Sequence, residues 1–399
     1  MGAPGALRLG QELDQGHAAR TDASLVDVVR HSVLHRLVWP ASIAFCALFP
    51  ALLLGVLFVT AIQDDAVAKD FRGFYGAAES ILRRESPYVA VDDPTAGVNG
   101  SYVYPPLTAI GVMPFTLLPR EAAGLLDMAL LVLALLAIPL TLGVRDWRCY
   151  GLALTWPPVV GAIQTGSVTI TLALGATLVW RFRDHLALCS LNTGITVALK
   201  LILWPLLVWL VATRRVAAAG LSFAVGVGLA LGSWTTIGFA GLTAYPELLR
   251  RLQDAVELDC YTVYVIARDA GASPSIARAV WLLLGFGLLL AVVLIGRRGN
   301  ERTAFILAVA AALALSPIVW LHYFTLLLVV VSLTQPGLGP AWFAPLAMYL
   351  ATGSGNPTLF QETVTIIAAT VTIALSLVAV NGKTLRLATA SRAPGAVPA

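Results

Sequence analysis

The residues best suited to chemistry cluster just after the first apolar run. They read Asp70-Phe-Arg-Gly-Phe-Tyr75, then Pro87-Tyr88, then Tyr104-Pro-Pro106 at the start of the next apolar segment. A carboxylate at the mouth of a membrane span is costly to place unless it acts on something. Near an interface, Asp70 can act as a general base, taking the proton of a hydroxyl that attacks an activated sugar or acyl carbon. A lone loop aspartate is more often simply solvated, but Arg72 and Tyr75 lie within one helical turn of this one. Asp64-Asp65 and Asp92-Asp93 share the loop. Such pairs can hold a divalent cation, though solvated acids are the simpler reading.

Lys200 is the next candidate, in Ala198-Leu-Lys-Leu-Ile-Leu-Trp-Pro205 near the middle of a long apolar stretch. An unpaired ammonium at that depth costs several kcal/mol, so it needs an acidic partner, a water-filled cavity or an anionic ligand such as a phosphate. His322 lies in Ser316-Pro-Ile-Val-Trp-Leu-His-Tyr323, where one apolar segment gives way to the next. A satisfied structural histidine is the plainer reading there. Trp320 and Tyr323 beside it suit a wall that stacks on a sugar or binds a headgroup. Arg250, Arg251 and Arg268 can bind a phosphate or be solvated helix faces.

Composition sets the frame for these residues. Of 399 residues, 58% are hydrophobic and 12% charged, and the mean hydropathy is +0.82. Soluble domains carry roughly 25% charged residues, so the chain is polytopic in a membrane. The net charge of +4 is small and spread out, with no basic stripe for nucleic acid. Four scattered cysteines, Cys46, Cys149, Cys189 and Cys260, form no C-x-x-C pair and read as small buried hydrophobes.

Hydropathy predicts an all-α protein of about twelve spans, near 40–62, 104–119, 122–143, 149–163, 166–181, 186–212, 216–238, 274–296, 303–319, 320–334, 341–352 and 363–380. Residues 1–38 are expected to form a polar cytoplasmic amino-terminal tail, 39–382 the membrane domain, and 383–399 a flexible cytoplasmic tail. The run Trp39 to Ile62 is too long for a signal-peptide core and reads as a retained anchor. Two long loops, 63–103 and 238–273, fall on one side. Each carries an amphipathic pattern, Phe71 to Leu82 and Tyr245 to Ala270, that predicts a helix along the membrane surface. With twelve spans, Arg145, Arg148, Arg181 and Arg183 fall on the same side as the long loops, against the usual placement of positive charge. No internal repeat is evident.

Taken in order, Asp70-Phe-Arg-Gly-Phe-Tyr75, Ser86-Pro-Tyr88, Val103-Tyr-Pro-Pro106, Ala198-Leu-Lys200 with Pro205, and Ser316-Pro-Ile-Val-Trp-Leu-His322 resemble the GT-C superfamily of membrane glycosyltransferases, specifically glycosyltransferase family 87. That family includes actinobacterial polyprenyl-phosphate-mannose-dependent mannosyltransferases and related arabinofuranosyltransferases. The similarity covers roughly residues 40 to 335. Where the family usually shows Gly-Gln at the start of a middle helix, this chain has Gly166-Ser167, with Gln164 just upstream.

The resemblance implies a GT-C fold and an inverting transfer from a lipid-linked sugar on the extracytoplasmic side of the plasma membrane. Asp70 would be the general base. His322, Arg72, Lys200, Tyr75, Tyr104, Trp320 and Arg268 would bind the donor phosphate or sugar. The implied partners are a polyprenyl-phosphate sugar, a glycolipid or polysaccharide acceptor and membrane lipid. No metal and no cofactor are implied, and the chain has no glycine-rich phosphate loop. A transporter or lipid flippase, suited to isolated Lys200 and His322, and a purely structural subunit are the competing classes. The former often shows internal repeats, and the latter leaves Asp70 and Lys200 unexplained.

Overall fold

A computed structural model describes residues 38–63, 68–89, 93, 102–353 and 356–390, the last stretch from 382 as backbone only. Asp64, Asp65, Asp92, most of the amino-terminal tail and the final residues of the carboxyl tail lie outside the described residues. All regular structure among the described residues is helical.

The chain opens with α1 (Val38–Gln63) and α2 (Lys69–Leu82). A short α3 (Pro106–Leu117) precedes α4 (Arg120–Thr141). Then come α5 (Trp147–Leu154), α6 (Pro157–Thr165) and α7 (Thr169–Arg181). Next are α8 (Leu186–Leu199), α9 (Leu201–Ala212) and α10 (Val216–Thr235). The second long loop holds α11 (Tyr245–Ala255) and α12 (Val263–Asp269). The chain finishes with α13 (Pro274–Arg297) and α14 (Glu301–Leu315), α15 (Leu321–Thr334), α16 (Pro340–Phe343, continued as a 3-10 stretch to Ala351) and α17 (Leu359–Ala390).

Among the described residues five helices are long and apolar enough to cross a bilayer: α1, α4, α10, α13 and Leu359–Asn381 of α17. The pair α6 and α7 would make a sixth, but the chain bends 115° between them. The expectation of twelve spans is therefore not reproduced, and two of its segments show why. Residues 186–212 are not one span. Arg215, just past α9, bonds Asp184, just before α8, at 2.6 Å, so the chain leaves one end of the molecule, turns at Lys200 and returns. Residues 104–119 also fail to cross. Tyr104 packs on Phe74 of α2, and the carbonyl of Leu118 accepts from Tyr75 of the same helix.

These reversals gather charge at one end. Arg183 and Arg215 both reach Glu301, at 3.4 and 3.0 Å. Gly296 packs on Ala212, which brings Arg297 and Arg298 alongside. At the foot of α4 and α15, the Arg145 amide donates to Pro336 and Arg148 pairs with Asp146. The arginines of the short turns thus share the end away from Asp70. The conflict with the placement of positive charge came from counting spans that turn back.

The α6–α7 bend is fixed by Gly166. Its φ is +66°, and a Cβ there would sit 2.7 Å from the Cβ of Phe71. Gly143, at φ +83°, has open space around it. Gly166→Ala should cost roughly 2–4 kcal/mol, combining left-handed strain with overpacking, against about 1–2 kcal/mol for Gly143→Ala. Thermal unfolding of the purified variants measures the difference, and equal losses would contradict the Phe71 contact.

Candidate functional site

Asp70 stands in the first turn of α2. The helix forms because Phe71, Phe74, Tyr75 and Ala78 recur at helical spacing and are buried. Its entry is anchored at Ala68, which adopts a left-handed conformation (φ 57°). The Ala68 amide donates to the Gln164 carbonyl at 2.7 Å, and its carbonyl accepts from Arg72 at 2.9 Å. A non-glycine residue held this way costs about 1–2 kcal/mol. The α6–α7 bend thus grips the start of α2 from both sides, through Gln164 and Gly166. Asp70 and Phe74 are four residues apart and share a face. Phe74 meets Tyr104 edge-on, with centroids 4.9 Å apart.

Lys200 occupies the turn between α8 and α9 in an extended conformation (φ −159°, ψ 125°). Its ammonium donates to the Tyr104 hydroxyl at 3.0 Å and to the Tyr323 hydroxyl. The close approach to both rings follows from those bonds and is no separate attraction. Lys200 and Asp70 also attract each other. Burial pushes the Asp70 carboxyl above the ordinary carboxylate range, while the ammonium groups of Lys200 and then Lys69 pull it back. His322 stands beside Tyr323, rings 5.0 Å apart and nearly perpendicular. It lies within electrostatic reach of Lys200, and its Cβ packs beside Gly161 of α6.

Asp70, Tyr104, Lys200 and His322, singled out from sequence, therefore converge. Others do not. Tyr75 donates its hydroxyl to the Leu118 carbonyl at 2.9 Å and lies under Arg120. It pins the α3–α4 joint. Arg72 is half-buried on α2, about 200° around the helix from Asp70. Trp320 caps α15, its carbonyl accepting from the Tyr323 amide at 2.9 Å. Arg268 donates to Ala272 at 2.9 Å, and its Nε is buried without a partner. Sequence reasoning noticed Tyr323 only as a neighbour of His322, although it is a direct partner of Lys200. It missed Asp127, whose buried Oδ2 has no hydrogen-bond partner and faces Gly166. A carboxylate inside an apolar segment is itself the signal that would have found it. Among the described residues, no three His, Cys, Asp or Glu side chains gather to hold a metal ion.

The protein is thus an all-helical membrane protein with an ammonium at a helix break, bonded to two tyrosine hydroxyls within electrostatic reach of a carboxylate. The pattern of glycosyltransferase family 87 matches residues 102–319, more than half of the chain, and the chain belongs to that family. It is a glycosyltransferase. The match starts after Asp70 and ends before His322, so the case for those two rests on geometry. No curated protein and no solved structure matches the chain.

If Asp70 is the general base that the sequence suggests, it must be deprotonated to work, and the rate of sugar transfer should fall as pH drops through its pKa. Because burial raises that pKa, the fall should begin above about pH 4. Lys200→Met removes the attraction that lowers it and should move the acid limb to higher pH. Residual transfer rates, or infrared titration of the Asp70 carboxyl in the purified variants, would show the shift, and a limb moving to lower pH would contradict the pairing.

Proposed function

We propose that the protein transfers a sugar, mannose in the first instance, from a polyprenyl-phosphate carrier to a lipid-linked or envelope glycan acceptor at the extracytoplasmic surface, with inversion. The observation that carries this reading is Lys200 at the α8–α9 turn, held by the hydroxyls of Tyr104 and Tyr323 within electrostatic reach of Asp70. The 14 residues of α8 lift Lys200 about 21 Å from the arginine-rich end. In a hydrocarbon core about 30 Å thick, that rise supports a position for the cation towards the far interface, where a lipid phosphate resides. Leu201, next to it, is 68% exposed and offers apolar surface along which a polyprenyl tail can lie.

In this scheme the Asp70 carboxylate accepts the proton of the acceptor hydroxyl as that oxygen bonds to the anomeric carbon. The bond from that carbon to the phosphate oxygen breaks, and its electron pair leaves with the phosphate. Lys200 and His322 stabilise the charge that develops there, an effect strengthened by the apolar surroundings. The phosphate is a ready leaving group, so the scheme needs no metal ion.

The orientation draws on charge. Arg145, Arg181, Arg183, Arg214, Arg215, Arg298 and Arg302 lie in or beside tight turns at the end away from Asp70, accompanied there by Asp146, Asp184 and Glu301. Turn-borne arginine of that density favours the cytoplasmic side. The reaction centre then faces outward, where lipid-linked rather than nucleotide-linked donors are at hand. A transporter fits less well, since Asp70 sits on a surface helix rather than on a membrane-crossing one.

Membranes or purified protein should transfer sugar from polyprenyl-phosphate-mannose or polyprenyl-phosphate-arabinofuranose, each offered separately with a crude envelope glycolipid acceptor. Asp70→Asn should lower kcat by about 10²–10⁴-fold. Transfer from neither donor, or an Asn variant as active as the native protein, would refute the scheme.

A further inference from the structure

Three consecutive carbonyls ahead of α3 each accept a hydrogen bond from a tyrosine hydroxyl. Tyr245 donates to Val103 at 2.9 Å, Tyr88 to Tyr104 at 2.8 Å, and Tyr102 to Pro105 at 2.5 Å. The Tyr102 hydroxyl also accepts from the Ala109 amide at 3.1 Å. Pro105 and Pro106 lack N–H groups, so this stretch cannot be fixed by a backbone ladder. Buried carbonyls still need donors, and side chains supply them. Burial holds the hydroxyls of Tyr88, Tyr102 and Tyr245 well above their usual pKa. They therefore stay protonated, and stay donors, at any working pH.

Tyr245 differs from the other two. It comes from the second long loop, 142 residues along the chain from the carbonyl it holds, and it is the first residue of α11. Leu248 is the buried residue of that helix. The helix's charged side chains are occupied with one another, Arg250 with Glu247 at 2.7 Å and Arg251 with Glu247 at 3.4 Å. Together with Leu248, the ring of Tyr245 attaches the helix to the body, 5.4 Å from Trp234 and 5.7 Å from Tyr88. Trp234 and Tyr88 in turn stack at 5.1 Å, only 13° from parallel. At the other side of the clamped segment, the Tyr104 hydroxyl accepts from Lys200.

We propose that Tyr245 is a positioning residue for sugar transfer. Through the Val103 carbonyl it fixes residues 103–105, and so fixes the Tyr104 hydroxyl that holds the Lys200 ammonium. The second loop thereby acts on the reaction centre without touching it. This rests on the reading of Lys200 as the group that meets the donor phosphate. Loss of one hydroxyl would free the segment by a fraction of an ångström, and misplacement on that scale is enough to slow a positioned reaction.

The test uses the full chain in detergent or nanodiscs. Tyr245→Phe keeps the ring and removes only the donor. It should lower kcat roughly tenfold and raise amide exchange across residues 102–119, with the amount of folded protein unchanged. In a Tyr104→Phe background the same change should cost nothing further, because the path runs through Tyr104. Tyr150→Phe is the matched control. Its hydroxyl donates to the Val144 carbonyl at 2.8 Å, at the arginine-rich end, and both readouts should keep their native values. Unchanged exchange in Tyr245→Phe overturns the clamp whatever the activity. Raised exchange with kcat intact, or full additivity with Tyr104→Phe, overturns the positioning role. Wild-type protein that transfers from neither donor would instead sink the proposed function. Exchange across residues 198–204 then decides whether Tyr245 reaches Lys200, native exchange there overturning the proposal.

Discussion

An ammonium among apolar helices costs several kcal/mol unless something meets it, and Lys200 is met from three directions. Tyr104 arrives from the segment before α3 and Tyr323 from the start of α15, both by hydrogen bond, while the Asp70 carboxylate of α2 acts on it through space. Hydrophobic residues of similar volume would serve stability as well or better, since a buried ion pair often contributes little net energy while losing one partner costs about 3–5 kcal/mol. The arrangement is therefore poorly explained as a device for stability. It is well explained as a site held ready for an anion. A donor phosphate arriving beside Lys200 would draw on the charge that restrains Asp70, making the carboxylate a stronger base when a proton must be taken.

The rest of the architecture follows from the need to place that group at depth. A full span would carry its middle residue to the centre of the bilayer. Helices of half that length, paired back to back, carry their turn to a chosen level instead. The α8–α9 pair does this for Lys200, and the α6–α7 bend does it for Gln164 and Gly166. Both turns touch the elements that bear the chemistry, Lys200 directly and Gly166 through Phe71. Close packing of the surrounding helices relies on small residues, as at Gly194, where a Cβ would sit 2.6 Å from Val225.

How much of this was legible in the sequence depended on what each signal averages. The 3.6-residue period of Phe71, Phe74, Tyr75 and Ala78 named α2 closely, and the pattern from Tyr245 named α11, because amphipathic spacing records which face is buried. Hydropathy could not see the turn at Lys200. Residues 186–212 are mostly apolar, and Lys200 and Pro205 at the reversal are equally compatible with a buried charge and a kink inside a span, so two short antiparallel helices and one long tilted span give the same profile. The direction of Tyr75 was not legible, because type and nearness to Asp70 say nothing of it, and its hydroxyl reaches the Leu118 carbonyl. The tyrosine clamp was invisible for another reason. Its acceptors are carbonyls, which every residue possesses.

On the proposed reading, a lipid-borne sugar is joined to a more polar acceptor at the boundary between two media, and the composition of α2 suits that place. Its inner face buries Phe71, Phe74, Tyr75 and Ala78 against the helical body, while Glu79 reaches Arg120 at the surface across 3.6 Å. The helix is thus fixed at both its apolar face and its far end, and cannot slide with the lipid. Asp70 stands in its first turn, where left-handed Ala68 and the Gln164 carbonyl set the angle of entry. A carboxylate on a mobile loop would be better solvated, and its pKa would stay ordinary. Holding it on a fixed helix, half-buried beside a cation, trades solvation for basicity. That trade suits the proposed role, in which the proton it takes belongs to a substrate.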